Sequence, residues 1–142
     1  MNLNTEFETT FTVLPKHTNY MYPLIFGGSF FSEIDLCAAS CVNRFLHASE
    51  TCNSAVTHKA ETTFAKPCYC GDLIFLKAKV NSVSKKSIVV TVSAQRERRG
   101  VAGRDHVGTT KFVFISIGKN ADELMDSKPD MLPYAEHGIK FG

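Results

Sequence analysis

No apolar run in the 142 residues approaches the roughly 20 needed to cross a bilayer. The first residues, Met1 to Glu8, lack the basic start and apolar stretch of a secretory leader. These absences set the expectation of a cytoplasmic chain with no membrane partner. Excess charge of one sign is also missing. Sixteen Lys and Arg against 14 Asp and Glu leave +2, too little by itself to indicate a nucleic-acid partner. There is no internal repeat and no low-complexity tract. The cysteines are few and odd in number: Cys37, Cys41, Cys52, Cys68 and Cys70. One residue, not two, separates Cys68 from Cys70, which fits neither zinc nor thioredoxin spacing. They are expected to be reduced small residues, with no metal site and no resident cofactor.

What is present suits one ordinary globular domain, 44% hydrophobic and 21% charged. Its core is expected over 1–118. Residues 119–142, with Pro129, Pro133 and several charges, are expected to form a C-terminal extension.

Residues 6–13 are β-branched and aromatic and predict a strand. Leu14 to Ile25 holds Pro15 and Pro23 and predicts a loop. From Gly28 to Leu46 the apolar positions Phe30, Phe31, Ile34, Cys37, Ala38, Cys41, Val42 and Phe45 step by three and four, the period of a helix. Beyond it the period falls to two. Val56, Ala60, Thr62 and Phe64 mark one strand, with His58 expected on the same inward face as a core histidine. Residues 72–83 and 87–97 predict two more strands around a Ser84-Lys85-Lys86 turn. Residues 98–106, with two glycines and four charges, predict a mobile connection. Residues 108–117 include Phe112 to Ile117, apolar on both faces, and predict a central strand. Short connections imply antiparallel pairing of successive strands. The expected class is α+β: one long central helix, apolar nearly all round, wrapped by a five-stranded antiparallel sheet.

The stretch Phe26-Gly27-Gly28-Ser29-Phe30-Phe31-Ser32-Glu33-Ile34-Asp35 concentrates the chemistry. Two glycines open the helix, so its first N–H groups have no side chain over them. Asp35 follows seven residues after Gly28, among apolar neighbours. The pattern has a plain reading, a tight loop-to-helix entry with a hydrogen-bonded carboxylate. It also has a catalytic one, backbone donors for a carbonyl oxygen with a carboxylate base nearby.

Four blocks in order resemble the hotdog-fold acyl-CoA thioesterases, in the YciA-like and cytosolic acyl-CoA hydrolase branch. They are Leu14-Pro15-Lys16-His17-Thr18-Asn19 with Phe26-Gly27-Gly28 and Asp35; Val56-Thr57; Phe64-Ala65-Lys66-Pro67-Cys68-Tyr69-Cys70-Gly71-Asp72; and Ser84-Lys85-Lys86-Ser87-Ile88-Val89-Val90 with Phe112-Val113-Phe114-Ile115-Ser116. The likeness runs from about Val13 to Ile117. It departs between Asn19 and Phe26, where the family's usual glycine is missing and one residue is added.

The resemblance implies a hotdog fold and a thioester hydrolase acting on an acyl-CoA, with coenzyme A entering only as part of the substrate. It implies a homodimer, or larger tetramers and hexamers, with active sites at the dimer interface. The family's catalytic pair matches Asp35, as general base or nucleophile, and Asn19. Gly27 and Gly28 match the carbonyl-binding helix start. Thr57, Ser87, Phe64 and Arg96 are substrate-binding candidates. Lys85, Lys86, Arg98, Arg99 and Arg104 are further candidates for the coenzyme A phosphates. Two other functions compete. A catalytically silent acyl-CoA-binding or assembly module would bind without turnover. A hotdog hydratase would want a histidine with a carboxylate near the helix, and none lies between Gly27 and Arg44.

Overall fold

A computed structural model describes residues 5–47, 54–84 and 87–117. The expected extension over 119–142, the Lys85-Lys86 turn and Cys52 lie outside these residues. Five strands and one long helix follow each other as β1 (Glu6–Thr12), α1 (Gly27–Leu46), β2 (Ser54–Phe64), β3 (Leu73–Val83), β4 (Ser87–Glu97) and β5 (Asp105–Ile117). A 3₁₀ turn, Pro15–His17, sits in the loop before the helix. The expected elements are all there, and the helix starts one residue early, at Gly27.

All strand pairs are antiparallel, in the order β1-β3-β4-β5-β2. Consecutive pairing therefore holds for β3–β4 and β4–β5 but fails for β2–β3. Instead β2 crosses to the far edge and pairs with β5, which places β5 between two partners. The connection expected over 98–106 is also shorter than read, because β5 already begins at Asp105. Gly100 and Gly103 take φ of +83° and +85° in that turn, and Arg104 bonds Glu97 across its base at 3.3 Å.

The helix lays Phe30, Ile34, Cys37, Ala38, Cys41, Val42 and Phe45 against the sheet. Opposite them stand Ile74, Leu76 and Ala78 of β3, Ile88, Val90 and Val92 of β4, and Phe112 and Phe114 of β5. Burying each large side chain here stabilises the fold by about 1.5–3 kcal/mol. The helix is not covered on most sides, which corrects the expectation of an all-round apolar helix. Leu36 is 63% exposed, and Ser32, Asn43 and Arg44 also face solvent. The sheet covers one face, and the opposite face is open within a single chain.

Burial pushes the Cys37 thiol up to about 12, and those of Cys41 and Cys68 up to about 11. All three stay protonated near neutral pH, as small apolar groups rather than nucleophiles. Cys70 is free and exposed.

Candidate active site

Strand β2 shows how the site is assembled. Thr57 pairs with Phe114, and the next ladder pair joins Lys59 to Val113, so His58 is a bulged extra residue. The bulge changes the parity of the strand. Before it, Ala55 packs on the core and Thr57 faces the helix; after it, Thr62 and Phe64 do. A single unbroken alternation had put Val56 and His58 inward. Both are in fact exposed, so His58 is not a core histidine. Because the ladder skips His58, Thr57 reaches the middle of α1.

There Thr57 Oγ1 donates to Asp35 Oδ1 at 3.1 Å. Asp35 is half-buried, one residue past the fully buried Ile34 and beside the exposed Leu36. Its carboxylate thus stands at the boundary between the core and the uncovered face of the helix. That suits a group that must meet water and a reacting carbon.

The helix mouth is a separate region. Phe26 precedes Gly27 in extended conformation and caps with no side chain, and the first helical bond runs from the Phe30 N–H to the Phe26 carbonyl at 3.0 Å. The N–H groups of Gly27, Gly28 and Ser29 therefore have no intrahelical acceptor. Both glycines are exposed. A Cβ on Gly28 would come 2.9 Å from Phe26 Cε2, so any side chain there would displace the Phe26 ring.

The loop before the mouth is pinned at several points. The Phe26 N–H donates to the His17 carbonyl at 2.8 Å, the Ile25 N–H to Cys68, and the Cys70 N–H to Pro23. Asn19 closes an Asx turn: its Oδ1 accepts the Met21 N–H at 3.0 Å, and its own N–H donates to the Leu24 carbonyl. Tyr20, Met21 and Tyr22 form the exposed tip of this turn.

An open groove of about 300 Å³ runs from the mouth toward the sheet, lined by Leu24, Ile25, Gly27, Phe30, Phe64 and Pro67 among others. Phe64 stacks on Phe30 with centroids 5.2 Å apart and stays 42% exposed. The structure thus brings Gly27 and Phe64 to one groove, and Asp35 and Thr57 to one hydrogen bond.

Two other candidates stand apart from these. Ser87 lies on the face of β4 opposite the buried Ile88, and its hydroxyl pairs with that of Ser84 at 2.8 Å. Arg96 is nearly buried. It donates to the Pro67 carbonyl and to Asp105 at 3.3 Å, bracing the strand β2 to strand β3 connection. Arg98 forms a two-point pair with Asp72 at 3.1 and 3.0 Å and lies over the Tyr69 ring. Burial pushes the Asp72 carboxyl up, but the hydrogen bonds from Arg98 and the Tyr69 N–H outweigh it and hold the group below its ordinary value. Arg104 covers the Phe75 ring. Arg99 is exposed and pairs with no carboxylate among the described residues.

Sequence reasoning missed His17 and Glu33. His17 is 8% exposed, its Nδ1 accepts the Leu14 N–H at 2.9 Å, and its Nε2 stands 3.5 Å from Glu33 Oε1 on the helix. A search for a histidine inside the helix passes over it, because the loop brings it there from ten residues upstream of Gly27. Among the described residues no cluster of His, Cys, Asp and Glu could hold a metal ion, and no helix is long and apolar enough to cross a membrane.

This geometry has counterparts in known proteins. The chain is similar to acyl-coenzyme A thioesterase 11 of Mus musculus, 28% identical over 131 residues, or 92% of this chain. It spans only 20% of that relative's length. An asparagine-to-alanine variant of an acyl-CoA hydrolase from Staphylococcus aureus, in complex with coenzyme A, matches with a TM-score of 0.74 at 22% identity, over 89% of this chain and 72% of that one. Alanine variants of the same hydrolase at an aspartate and a threonine have also been solved. A Streptococcus mutans protein bound to acetyl-CoA matches with a TM-score of 0.69 at 19% identity, over 83% and 86% of the two chains. At such identities these structures speak for the fold, and it is the hotdog fold. A family model described as the thioesterase superfamily matches residues 22–102, more than half of the chain. With one helix laid on a five-stranded antiparallel sheet and a glycine-opened helix mouth, the chain belongs to the thioesterase superfamily.

Proposed function

We propose that this chain hydrolyses the thioester of an acyl-CoA to the free acid and coenzyme A, at a site shared between two copies. One observation carries the reading: Asp35 and Thr57 are joined in the middle of α1, while the free N–H groups lie at its start. Seven residues of helix separate Gly28 from Asp35, about 10 Å along the axis. A base and an oxyanion donor must both stand about 3 Å from the reacting group. One chain cannot place its own two halves that way, but the mouth of a second copy can face its Asp35. The same pairing would cover the open helix face with Leu36 and the exposed outer edge of β2, which a lone chain leaves bare.

In this site Asp35 takes a proton from water, and the water oxygen attacks the thioester carbonyl carbon. The oxyanion is held by the N–H groups at Gly27 and Gly28 of the second copy. The tetrahedral intermediate then expels the coenzyme A sulfur, which leaves as the thiol with the proton Asp35 carries. Alternatively Asp35 attacks the carbonyl itself and breaks the carbon–sulfur bond, expelling coenzyme A as the thiolate; water then opens the resulting anhydride to the free acid and the Asp35 carboxylate, and its remaining proton goes to the thiolate. Thr57 orients the carboxylate through its hydroxyl. Asn19 spends its Oδ1 on its own turn, which leaves its Nδ2 amide to meet substrate. Phe64 and Gly27 border the groove for the acyl–pantetheine arm. The staphylococcal hydrolase lends support, since the three residue types varied in it are the three placed here as Asn19, Asp35 and Thr57.

Hydrolysis of a panel of acyl-CoAs, followed by thiol release, tests the reading. Wild type should turn over at least one of them. Asp35→Ala should lose about 10³-fold in kcat while still binding coenzyme A. Unchanged hydrolysis in Asp35→Ala would remove Asp35 from the chemistry. Binding without any turnover in wild type would favour the silent acyl-CoA-binding module.

A further inference from the structure

The geometry points to His17 as a positioning residue that ties the Asn19 loop to the helix mouth and sets where the free N–H groups of Gly27 and Gly28 stand. The inference rests on the thioesterase reading above. His17 reaches three segments at once. Its Nδ1 accepts the Leu14 N–H at 2.9 Å, at the start of the 3₁₀ turn. Its carbonyl accepts the N–H of Phe26, the residue directly before the helix, at 2.8 Å. Its Nε2 stands 3.5 Å from Glu33 Oε1, in the second turn of α1. The ring is buried, with the Phe11 ring 5.4 Å away.

An Nδ1 that accepts from a backbone N–H carries no proton, so the neutral ring has its hydrogen on Nε2, the atom nearest Glu33. Nδ1 is thus taken by the Leu14 N–H and Nε2 carries the hydrogen, so the neutral imidazole has no free lone pair to act as a base on substrate. What it can do is hold position. Phe26 is bonded on both sides: its N–H to His17 and its carbonyl to the Phe30 N–H. Moving His17 therefore moves the residue that starts the helix. Asn19 lies two residues beyond His17 on the same loop, so the clamp also fixes the distance between Asn19 and the mouth. His17, Glu33, Lys16, Gly28 and Ser29 border one shallow groove, so the clamp sits beside the donors it would align. Displacing such donors by a fraction of an ångström lowers turnover far more than it lowers stability.

The test compares wild type with His17→Leu, His17→Asn, His17→Gln and Glu33→Ala. Hydrolysis of butyryl-CoA gives kcat and KM separately, and amide exchange at Phe26 and Phe30 is read without substrate. His17→Leu should lose about 10- to 100-fold in kcat with KM changed by less than about 3-fold, and should speed exchange at both amides. His17→Asn puts an oxygen where Nδ1 was, so it should recover most of that loss. His17→Gln can reach only Glu33 and should recover less. Glu33→Ala should lose about 3-fold, in keeping with the long contact. A folded His17→Leu with wild-type kcat overturns the inference. So does a loss in the variants that merely follows the fraction folded. If His17→Leu does not fold, equal kcat in the Asn and Gln variants overturns it. If wild type hydrolyses no acyl-CoA, the thioesterase reading fails on its own. The clamp then stands or falls on whether exchange at Phe26 and Phe30 quickens in the folded variants.

Discussion

The middle of α1 and its mouth are made in opposite ways. The middle holds a side-chain pair, Asp35 and Thr57, at the edge of a dry core. The mouth holds bare backbone: two glycines, no capping side chain, and a loop pinned by main-chain bonds. A base needs a titratable side chain whose surroundings are chosen residue by residue. An oxyanion donor needs only N–H groups left unpaired and unshielded, which a helix start supplies. The two regions lie about 10 Å apart on one rigid rod, and on this separation the proposed pairing of two copies rests.

The sharpest way to break this comparison is to disable one region in each of two chains. Asp35→Ala and Gly28→Val should each be nearly inactive alone. Mixed and allowed to exchange subunits, they should recover about a quarter of wild-type activity, since half of the dimers then carry one intact site. No recovery under demonstrated exchange would mean that each chain works with its own two halves.

Gly28→Ala separates the regions more gently. Alanine suits a helix better than glycine, so thermal stability should hold or rise by up to about 1 kcal/mol. The new methyl displaces the Phe26 ring and crowds the free N–H groups, so kcat should fall about 10-fold. A parallel fall in stability and activity would deny the mouth a special role. In the middle region, Thr57→Val keeps the shape and removes the donor to Asp35. It should cost a few-fold to about 10-fold in kcat and less than about 1 kcal/mol of stability.

Acid should loosen the loop that leads to the mouth. Asp72 anchors the turn that follows Cys68 and Tyr69, and these residues pair with Ile25 and Leu24 of the mouth loop. Its carboxyl titrates below the ordinary 3.8 in the folded chain, so its contribution to stability is complete above that value. The contribution is lost as pH falls from there through the lowered folded value. Asp72→Asn should reduce stability by about 1–3 kcal/mol near neutral pH, and its melting temperature should then depend less on pH below about 4 than that of wild type. The smallest effect is expected for His58→Ala, which should leave stability within about 0.5 kcal/mol because the ring is exposed and bulged out of the ladder.

Much of this was legible along the chain. The step of three and four apolar residues marked α1 to within one residue, and the alternations marked the strands. The same counting misjudged β2, because a period of two carries no sign of a skipped residue; only the pairing with β5 reveals that His58 is surplus. Basic side chains were equally opaque. Arg96, Arg98 and Arg104 read as free charges until folding brought Asp105, Asp72 and Glu97 beside them.

By itself, then, the sequence determined the elements, the glycine-opened helix and the carboxylate two turns inside it, since helix period and glycine's missing side chain act locally. Tertiary structure alone decided that β2 runs beside β5, that Thr57 rather than His58 faces Asp35, and that His17 meets Glu33. Each of these joins residues far apart in the chain, and such contacts follow from how the sheet closes on the helix rather than from any local preference.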